Sequence, residues 1–406
     1  MNSDIRDFFT RRSPLLGETI VGAWLGAYLL AATAPAHALP QGGEVVAGEG
    51  TITQTSATSM QIDQATQRMA ADFRSFDIAV DEAVNVAQPN TRAFFLGRVT
   101  GETGTTIMGT LTANGRVMLV NPRGVYFGET ARVDTASLLA STLGVDVQDF
   151  MDGVVELEFT AEMAGKIVNR GVLEAASGGS VTLLGNEVIN EGLIVAELGR
   201  VNLGAGSEAV ATFDAEGLVG VRVTEGVLAD PTAGEAAVAN RGTIRAAGGR
   251  ILMQASAARD LFSMAVNNEG VARADAAVVD GGSVTLFADE GDAFSSGELL
   301  AGSGAGEGGS VEVLGDRVAV TGGTIDASGA TGGGEVKIGG ALQGGGDTKT
   351  AERTFVGPDA RIAADAGAEG DGGEVIVWAD GDTRFRGAIS ATGAGDGAGG
   401  FAEVSG

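Results

Sequence analysis

Residues 240–253 combine the two sequence elements that decide the fold. They read Asn240-Arg-Gly-Thr-Ile-Arg-Ala-Ala-Gly-Gly-Arg-Ile-Leu-Met253. An Asn-x-Gly turn is followed by a short alternating stretch, and a glycine pair is then followed by a second one. Alternation of apolar and polar residues, with β-branched side chains, is typical of β-strands. We therefore expect two strands that are joined by a glycine-rich corner.

Both elements recur along the second half of the chain. The glycine pair with its strand begins at Gly178, Gly248, Gly281, Gly308, Gly333, Gly372 and Gly399, with a degenerate copy at Leu198. A strand-turn-strand unit that returns every 20–30 residues or so predicts a solenoid. Glycine pairs at this density exclude ordinary helices. The predicted fold is all-β: a right-handed parallel β-helix over residues 154–406, with excursions near residues 204–238 and 340–356.

The repeat also predicts where particular side chains lie. Aliphatic and alanine residues at matching positions would face a narrow interior: Leu173 with Ala175, Ile194 with Ala196, and Ile244 with Ala246. The asparagines that open the turns would stack on successive coils as a ladder of side-chain amides: Asn169, Asn190, Asn240 and Asn268.

Composition excludes several classes of function. The 406 residues include 53 acidic and 26 basic side chains, which gives a net charge of −27. Phosphate would repel such a chain, so we expect no nucleic-acid partner. There is no cysteine, which excludes disulfide scaffolds and thiolate-ligated metals. Hydrophobic residues make up 44%, which is enough for a large core, so the acidity is not that of a disordered chain.

Residues 1–38 have the pattern of a signal peptide. Basic residues precede an apolar run over residues 20–32, and Ala36-His37-Ala38 is a small-x-small cleavage sequence before Leu39. The run is shorter than the ~20 residues of a membrane span, and we predict cleavage between Ala38 and Leu39. Cleavage would remove His37, the only histidine, so that Cys-His and Ser-His-Asp catalysis become impossible. We therefore expect no enzyme and no cofactor.

Residues 39–153 contain a more specific series of segments. Their order and spacing resemble the haemagglutination-activity domain of filamentous-haemagglutinin-like exoproteins, which is the secretion domain of two-partner secretion in Gram-negative bacteria. The segments are Leu39–Gly48, Phe73–Ile78, Val84–Pro89, Arg98–Gly101, Gly109–Gly115, Val117–Gly128 and Leu138–Thr142. The resemblance implies a β-rich secretion domain over residues 39–153 that caps the β-helix.

The resemblance also implies a route and its partners. The chain would cross the inner membrane through the Sec translocon and reach the periplasm. There a dedicated outer-membrane β-barrel transporter would recognise it, thread it through unfolded and release it to the cell surface or medium. The family's Asn-Pro-Asn-Gly secretion motif is matched at three of four positions by Asn121, Pro122 and Gly124, with Arg123 in place of the second Asn. The same four residues are also a good turn sequence.

The resemblance favours an adhesin that binds a host-cell or carbohydrate receptor. Two alternatives stay open at this stage. β-Helices also include proteins that bind or cleave polysaccharides with carboxylates and basic residues, although no compact set of such residues stands out here. The chain could also be the N-terminal stalk of a contact-dependent toxin or haemolysin. Physical chemistry agrees with export, because a chain without cysteines forms no disulfide that would block passage through a pore.

Overall fold

The chain folds as a parallel β-helix. The computed structural model describes residues 38–214, 217–228, 236–256, 265–277 and 280–406, and nearly all of its regular structure is β-strand. Strands of successive coils pair in parallel and in register, as Arg200–Ala205 does with Arg250–Ala255. A full coil contributes three short strands, which form three faces around the interior. The β-helix predicted from the glycine repeats is confirmed.

Face 1 is a sheet of thirteen described strands, all parallel to their neighbours except the first, which is antiparallel to the second. It is the face that follows each glycine pair. Its strands are Glu44–Ala47, Arg68–Phe73, Phe94–Val99, Arg116–Val120, Ser137–Ser141, Ser180–Gly185, Arg200–Ala205, Arg250–Ala255, Ser283–Ala288, Ser310–Leu314, Glu335–Ile338, Glu374–Trp378 and Phe401–Ser405.

Faces 2 and 3 precede face 1 in each coil and join at the Asn-x-Gly corner. The strands of face 2 are Thr105–Ile107, Val125–Phe127, Lys166–Asn169, Glu187–Asn190, Val238–Asn240, Val266–Asn268, Asp292–Ser295 and Asp382–Phe385. Those of face 3 are Gly50–Ser56, Ser59–Gln64, Ala83–Ala87, Thr110–Ala113, Arg132–Thr135, Val172–Ala175, Leu193–Val195, Thr243–Arg245, Val271–Arg273, Glu298–Leu300 and Ala388–Ser390. Two longer strands, Arg317–Asp326 and Arg353–Ala363, run through both faces.

One hydrophobic core fills the interior from Leu39 to Val377. All six residues predicted to point inward, from Leu173 to Ala246, belong to it. The ladders also pass residue 153 without a break, since Leu138 pairs with Val181 on face 1. Residues 39–153, predicted as a capping domain, therefore share the coils of the repeat region. The sequence texture changes near residue 153 because the coils whose face 1 strands lie between residues 68 and 141 turn without glycine pairs.

The second glycine of each pair is required by the neighbouring coil. A Cβ atom on Gly249 would lie 2.2 Å from the carbonyl oxygen of Gly199, and one on Gly282 would lie 2.1 Å from that of Gly249. In two of the pairs the first glycine has a left-handed backbone, with φ of +79° at Gly178 and +67° at Gly248. In the degenerate copy Leu198 adopts the same conformation, with φ of +53°.

The two predicted excursions leave the coils in different ways. Within residues 204–238, strands Glu208–Asp214 and Gly217–Glu225 form a β-hairpin rather than a loop, because alternate residues such as Ala211 and Val221 bury apolar side chains. The hairpin continues an antiparallel sheet with Glu156–Thr160 and Gly144–Val145. We call these four strands the outer sheet. Within residues 340–356, a short 3-10 turn at Leu342–Gly344 packs its last glycine against Trp378 before the coil resumes.

The predicted signal peptide lies outside the described residues, apart from Ala38. Within the ranges that the structure describes, no helix combines the length and hydrophobicity of a membrane span. The described α-helix, Val147–Asp152, has six residues.

The glycine corners give a direct test of the fold. We expect Gly249→Ala to lower the free energy of unfolding by about 1–3 kcal/mol, because the new methyl group overlaps the carbonyl of the previous coil. Gly399→Ala is the matched control, since a Cβ atom there meets nothing within 4 Å. Urea denaturation of the purified chain measures both. Equal stability of the two variants would contradict the close approach of the coils.

Candidate functional site: the Asn121–Gly124 turn and its groove

The Asn121–Gly124 turn is fixed from its buried side. The Asn121 side chain is fully buried, and its Nδ2 donates to the Thr103 carbonyl and to Thr105 Oγ1, both at 3.0 Å. Its Oδ1 accepts from the Arg123 backbone N–H at 3.0 Å. This last bond is an Asx turn, in which an asparagine side chain replaces a backbone acceptor. Asn121 thus joins the turn to the strand Thr105–Ile107.

Gly124 is needed at the end of the turn because its φ is +117°, a value that side-chain-bearing residues rarely adopt. A Cβ atom there would also lie 3.0 Å from the Lys166 carbonyl oxygen of the next coil. Pro122 is half-buried and Arg123 is exposed, with its Nε donating to the Gly101 carbonyl at 3.1 Å. The first and last residues of the motif therefore build the turn, and the middle two face solvent.

Pro122 and Arg123 line a groove of about 610 Å³. The groove lies between face 1 and the outer sheet, and much of its remaining lining is acidic: Asp146, Asp149, Glu158 and Glu162. Arg98 also lines it but is held by Asp72 through two hydrogen bonds of 2.8 and 2.9 Å. Arg123 is therefore the exposed cation at the edge of an acidic groove.

The helix Val147–Asp152 supports one end of this groove. Asp146 is its N-cap, and its Oδ1 accepts the backbone N–H groups of Gln148 at 2.7 Å and Asp149 at 3.0 Å. Gly153 ends the helix in a left-handed conformation with φ of +69°. Phe150 is fully buried beneath the helix. The N-cap bonds fix the Asp146 side chain and the backbone that carries Asp149.

Two arginines of face 1 pack on the ring of Phe94, and one of them also holds the helix. The Arg68 guanidinium lies over the rings of Phe94 at 5.1 Å and Phe150 at 5.3 Å, and its Nη1 donates to the Phe150 carbonyl at 2.7 Å. Arg116 covers the Phe94 ring at 4.9 Å. Burial lowers the pKa of Arg68. No sequence pattern indicates this cluster, because its members come from separate coils.

The four predicted asparagines lie in one column at the corner after face 2. Asn169 Nδ2 donates to Asn190 Oδ1, Asn190 Nδ2 to Asn240 Oδ1, and Asn240 Nδ2 to Asn268 Oδ1, each at 2.8 Å. All four side chains are fully buried. The column lies outside the groove and ties the coils to one another.

The predicted cleavage point lies at the first described residues. The Ala38 N–H donates to Glu82 Oε1 at 2.7 Å, and the buried Leu39 side chain joins the core. The first residue expected after cleavage is thus anchored in the β-helix. The structure places the three sets of predicted residues, namely the cleavage pair, the turn and the asparagine column, at separate positions.

The Asn121–Gly124 turn and most of the described coils lie within one family match. Residues 36–300 match the TPS secretion domain family. The chain belongs to this family. It also superposes on the crystal structure of the HMW1 secretion domain from Haemophilus influenzae, with a TM-score of 0.76, 28% identity, and coverage of 90% of this chain and 95% of that one.

Two relatives extend the comparison to longer proteins. A heme/hemopexin-binding protein of Haemophilus influenzae (strain Rd) is 33% identical over 236 residues, which cover 55% of this chain and 24% of the relative. Another heme/hemopexin-binding protein of Haemophilus influenzae is 41% identical over 112 residues, 28% of this chain and 12% of that protein. The chain thus matches about a quarter or less of the length of these relatives.

Family membership fixes the export route in outline. The TPS secretion domain implies export by two-partner secretion, with a dedicated outer-membrane transporter as the partner of this domain. The protein is therefore secreted or displayed at the surface of a Gram-negative bacterium.

The turn yields a stability prediction. We expect Asn121→Ala to lower the free energy of unfolding by about 1–3 kcal/mol, since Thr103 and the Arg123 N–H lose a buried partner. Arg123→Asn, which restores the family motif at an exposed position, should change it by less than about 0.5 kcal/mol. Urea denaturation compares the two. A larger loss for the Arg123 variant would contradict the division of the motif.

The asparagine column yields a second stability prediction. Asn240→Leu keeps the approximate size of the side chain but removes two ladder bonds, so that Asn190 Nδ2 and Asn268 Oδ1 each lose their bond to Asn240. We expect a loss of about 2–6 kcal/mol, at about 1–3 for each unsatisfied group. Asn85→Ala, at an exposed asparagine, is the control and should cost less than about 0.5 kcal/mol. Thermal unfolding followed by circular dichroism measures both, and equal midpoints would disprove the role of the column.

Proposed function

We propose that this chain is the export and folding module of a non-enzymatic adhesin. We further propose that the transporter's periplasmic domains dock at the groove beside Pro122 and Arg123. The observation that carries the docking proposal is the division of the secretion motif. The turn requires the buried side chain of Asn121 and the positive φ of Gly124, whereas Pro122 and Arg123 line an acidic groove.

The architecture supports export by threading. Each coil contacts mainly the coils before and after it, so a chain that emerges from a pore can add one coil at a time. The strands Glu44–Ala47 and Gly50–Ser56 run antiparallel to the strands that they pair with and cover the first coil. A β-helix that begins with a covered end presents fewer free strand edges while later coils are still unfolded.

The charge of the groove defines the chemistry of its partner. Asp149, Glu158 and Glu162 give it negative potential, and Arg123 interrupts that potential at one edge. A transporter domain that docks there would carry basic residues opposite the carboxylates and an acceptor opposite Arg123. Complementary charge of this kind speeds encounter and fixes the orientation of the partner.

The adhesin assignment rests on the extended, stable scaffold and on what the sequence lacks. Cleavage at the predicted site leaves a chain without histidine or cysteine, which supports a binding role over catalysis or ligation of heme iron by those residues. The relatives' names describe binding of heme and hemopexin. Binding of hemopexin by these relatives supports a binding role for the exported surface of this chain.

Export can be tested with charge variants of the groove. The chain is expressed with its cognate transporter, and the fraction in the medium is measured by immunoblot. We expect Arg123→Glu to reduce that fraction several-fold while thermal unfolding of the purified protein is unchanged, because Arg123 is exposed. Arg123→Asn should be exported normally, and Arg361→Glu, an exposed arginine on the strand Arg353–Ala363, is the matched control. Equal release of all variants would overturn the docking site.

Adhesion can be tested with the purified chain. We expect saturable binding to cultured epithelial cells and weaker capture of immobilised hemopexin. Binding to hemopexin with none to the cells would overturn the adhesin assignment and favour capture of a host serum protein. Release of a chromogenic product from polysaccharide substrates would overturn the non-enzymatic assignment.

A further inference from the structure

A second groove crosses face 1 on the other side of the outer sheet. It encloses about 770 Å³ beneath Gly220 and Val221 of the hairpin strand Gly217–Glu225. We propose that this groove binds a glycan that ends in a carboxylate-bearing sugar. The proposal goes beyond the export role, and it concerns a surface that shares no lining residue with the groove at Arg123.

The floor of the groove is built from the first residues of four successive strands. These residues are Arg200, Arg250, Ser283 and Ser310, and each is paired in register with the next. Neighbouring strands lie about 4.8 Å apart, so the floor spans roughly 14 Å along the β-helix axis. That length suits a short linear oligosaccharide lying across the strands.

The column changes charge along its length. It begins with Arg200 and Arg250, continues with two serines, and passes beyond the groove to Glu335 and Glu374 in the same register. Arg250 is exposed, whereas Arg200 is half-buried and has contacts of its own. An anion is therefore favoured at the Arg250 end alone. Beyond the groove Glu335 is paired with Lys337 at 2.7 Å, so a ligand charged along its whole length would meet the carboxylate of Glu374.

The remaining lining suits neutral sugar rings. Ser283, Thr285 and Ser310 supply hydroxyl groups that can donate and accept, and Asn202 adds an amide. The corner glycines Gly249, Gly282 and Gly309 line the groove and add no side chain to it. Hydroxyl-bearing ligands recognised by many short polar contacts fit such a surface better than a bulky apolar ligand.

Leu198 supplies an apolar contact at the mouth of the groove. It holds the left-handed conformation that glycine holds at Gly178 and Gly248, and 59% of it is exposed. A leucine in this conformation destabilises the backbone and buries little surface in return. Strained residues of this kind collect at ligand sites. The Leu198 side chain would pack on the apolar face of a sugar ring held by Arg250.

This arrangement predicts a variant in which stability and binding change in opposite directions. Leu198→Gly relieves the backbone and should raise the midpoint of thermal unfolding, yet it removes the apolar contact and should weaken glycan binding several-fold. A merely structural residue would not produce this combination. Loss of both stability and binding, or unchanged binding, would overturn the role of Leu198.

The ligand class is tested with matched probes on the purified full chain. The first probe is a trisaccharide that ends in glucuronic acid, and the second is the same trisaccharide ending in glucose; isothermal titration calorimetry measures both. We expect the acidic probe to bind at least about tenfold more tightly, since a charge-assisted bond to arginine adds to affinity. Arg250→Ala should abolish that difference, and Arg361→Ala, outside the groove, should keep it. Higher ionic strength should reduce it.

Three further outcomes decide the proposal. Gly220→Phe places a side chain where a Cβ atom meets nothing within 4 Å, so it should fold normally and block both probes. A long sulfated polyanion should bind more weakly than the single-carboxylate probe, because its far end would meet Glu374. Equal affinity for both trisaccharides, tighter binding of the polyanion, or full binding by the Gly220 variant would each overturn the glycan site. Normal export of all these variants keeps this result separate from that of the docking proposal.

Discussion

The structure depends on the close approach of each coil to the one before it. At the face 1 corner the Arg250 N–H donates to the Gly199 carbonyl at 2.9 Å, and the Ser283 N–H repeats the bond to Gly249. These carbonyl oxygens lie where the Cβ atom of the next coil's residue would be, which is why the corner requires glycine. The regular rise of the coils and the register of all three faces follow from this contact.

In-register stacking turns single residues into columns. The same geometry that buries Asn169 above Asn190 also produces the alternating ion pairs of Arg170 with Glu191 and Glu191 with Arg241. When such a column of polar side chains is buried, each one hydrogen-bonds to the next. When the column is exposed, it forms a surface whose charge changes along the β-helix axis. The column from Arg250 to Glu374 is of the second kind, so a functional surface can arise from the repeat itself.

The outer sheet gives this β-helix its two distinct surfaces. Face 1 would otherwise present apolar side chains such as Leu96 and Met118 to water, and the helix and hairpin bury them in a second core. The guanidinium groups of Arg68 and Arg116 both pack on the Phe94 ring of this core. Each flank of the outer sheet then forms a wall of one groove, with the secretion turn on one side and the Arg250 column on the other.

The sequence by itself determined the β-helix, the inward residues such as Ile194, and the secretion motif, because strand alternation and glycine corners are local patterns. The partners of Asn121 and the exposure of Arg123 were decided only by the tertiary structure. The same holds for the Arg68 contact with Phe150, which joins residues 82 positions apart, and for the hairpin that replaces the loop expected near residues 204–238. Such contacts depend on which coils the chain brings together, and the physical reason is that a local pattern fixes how a segment turns but not what packs over its outer face.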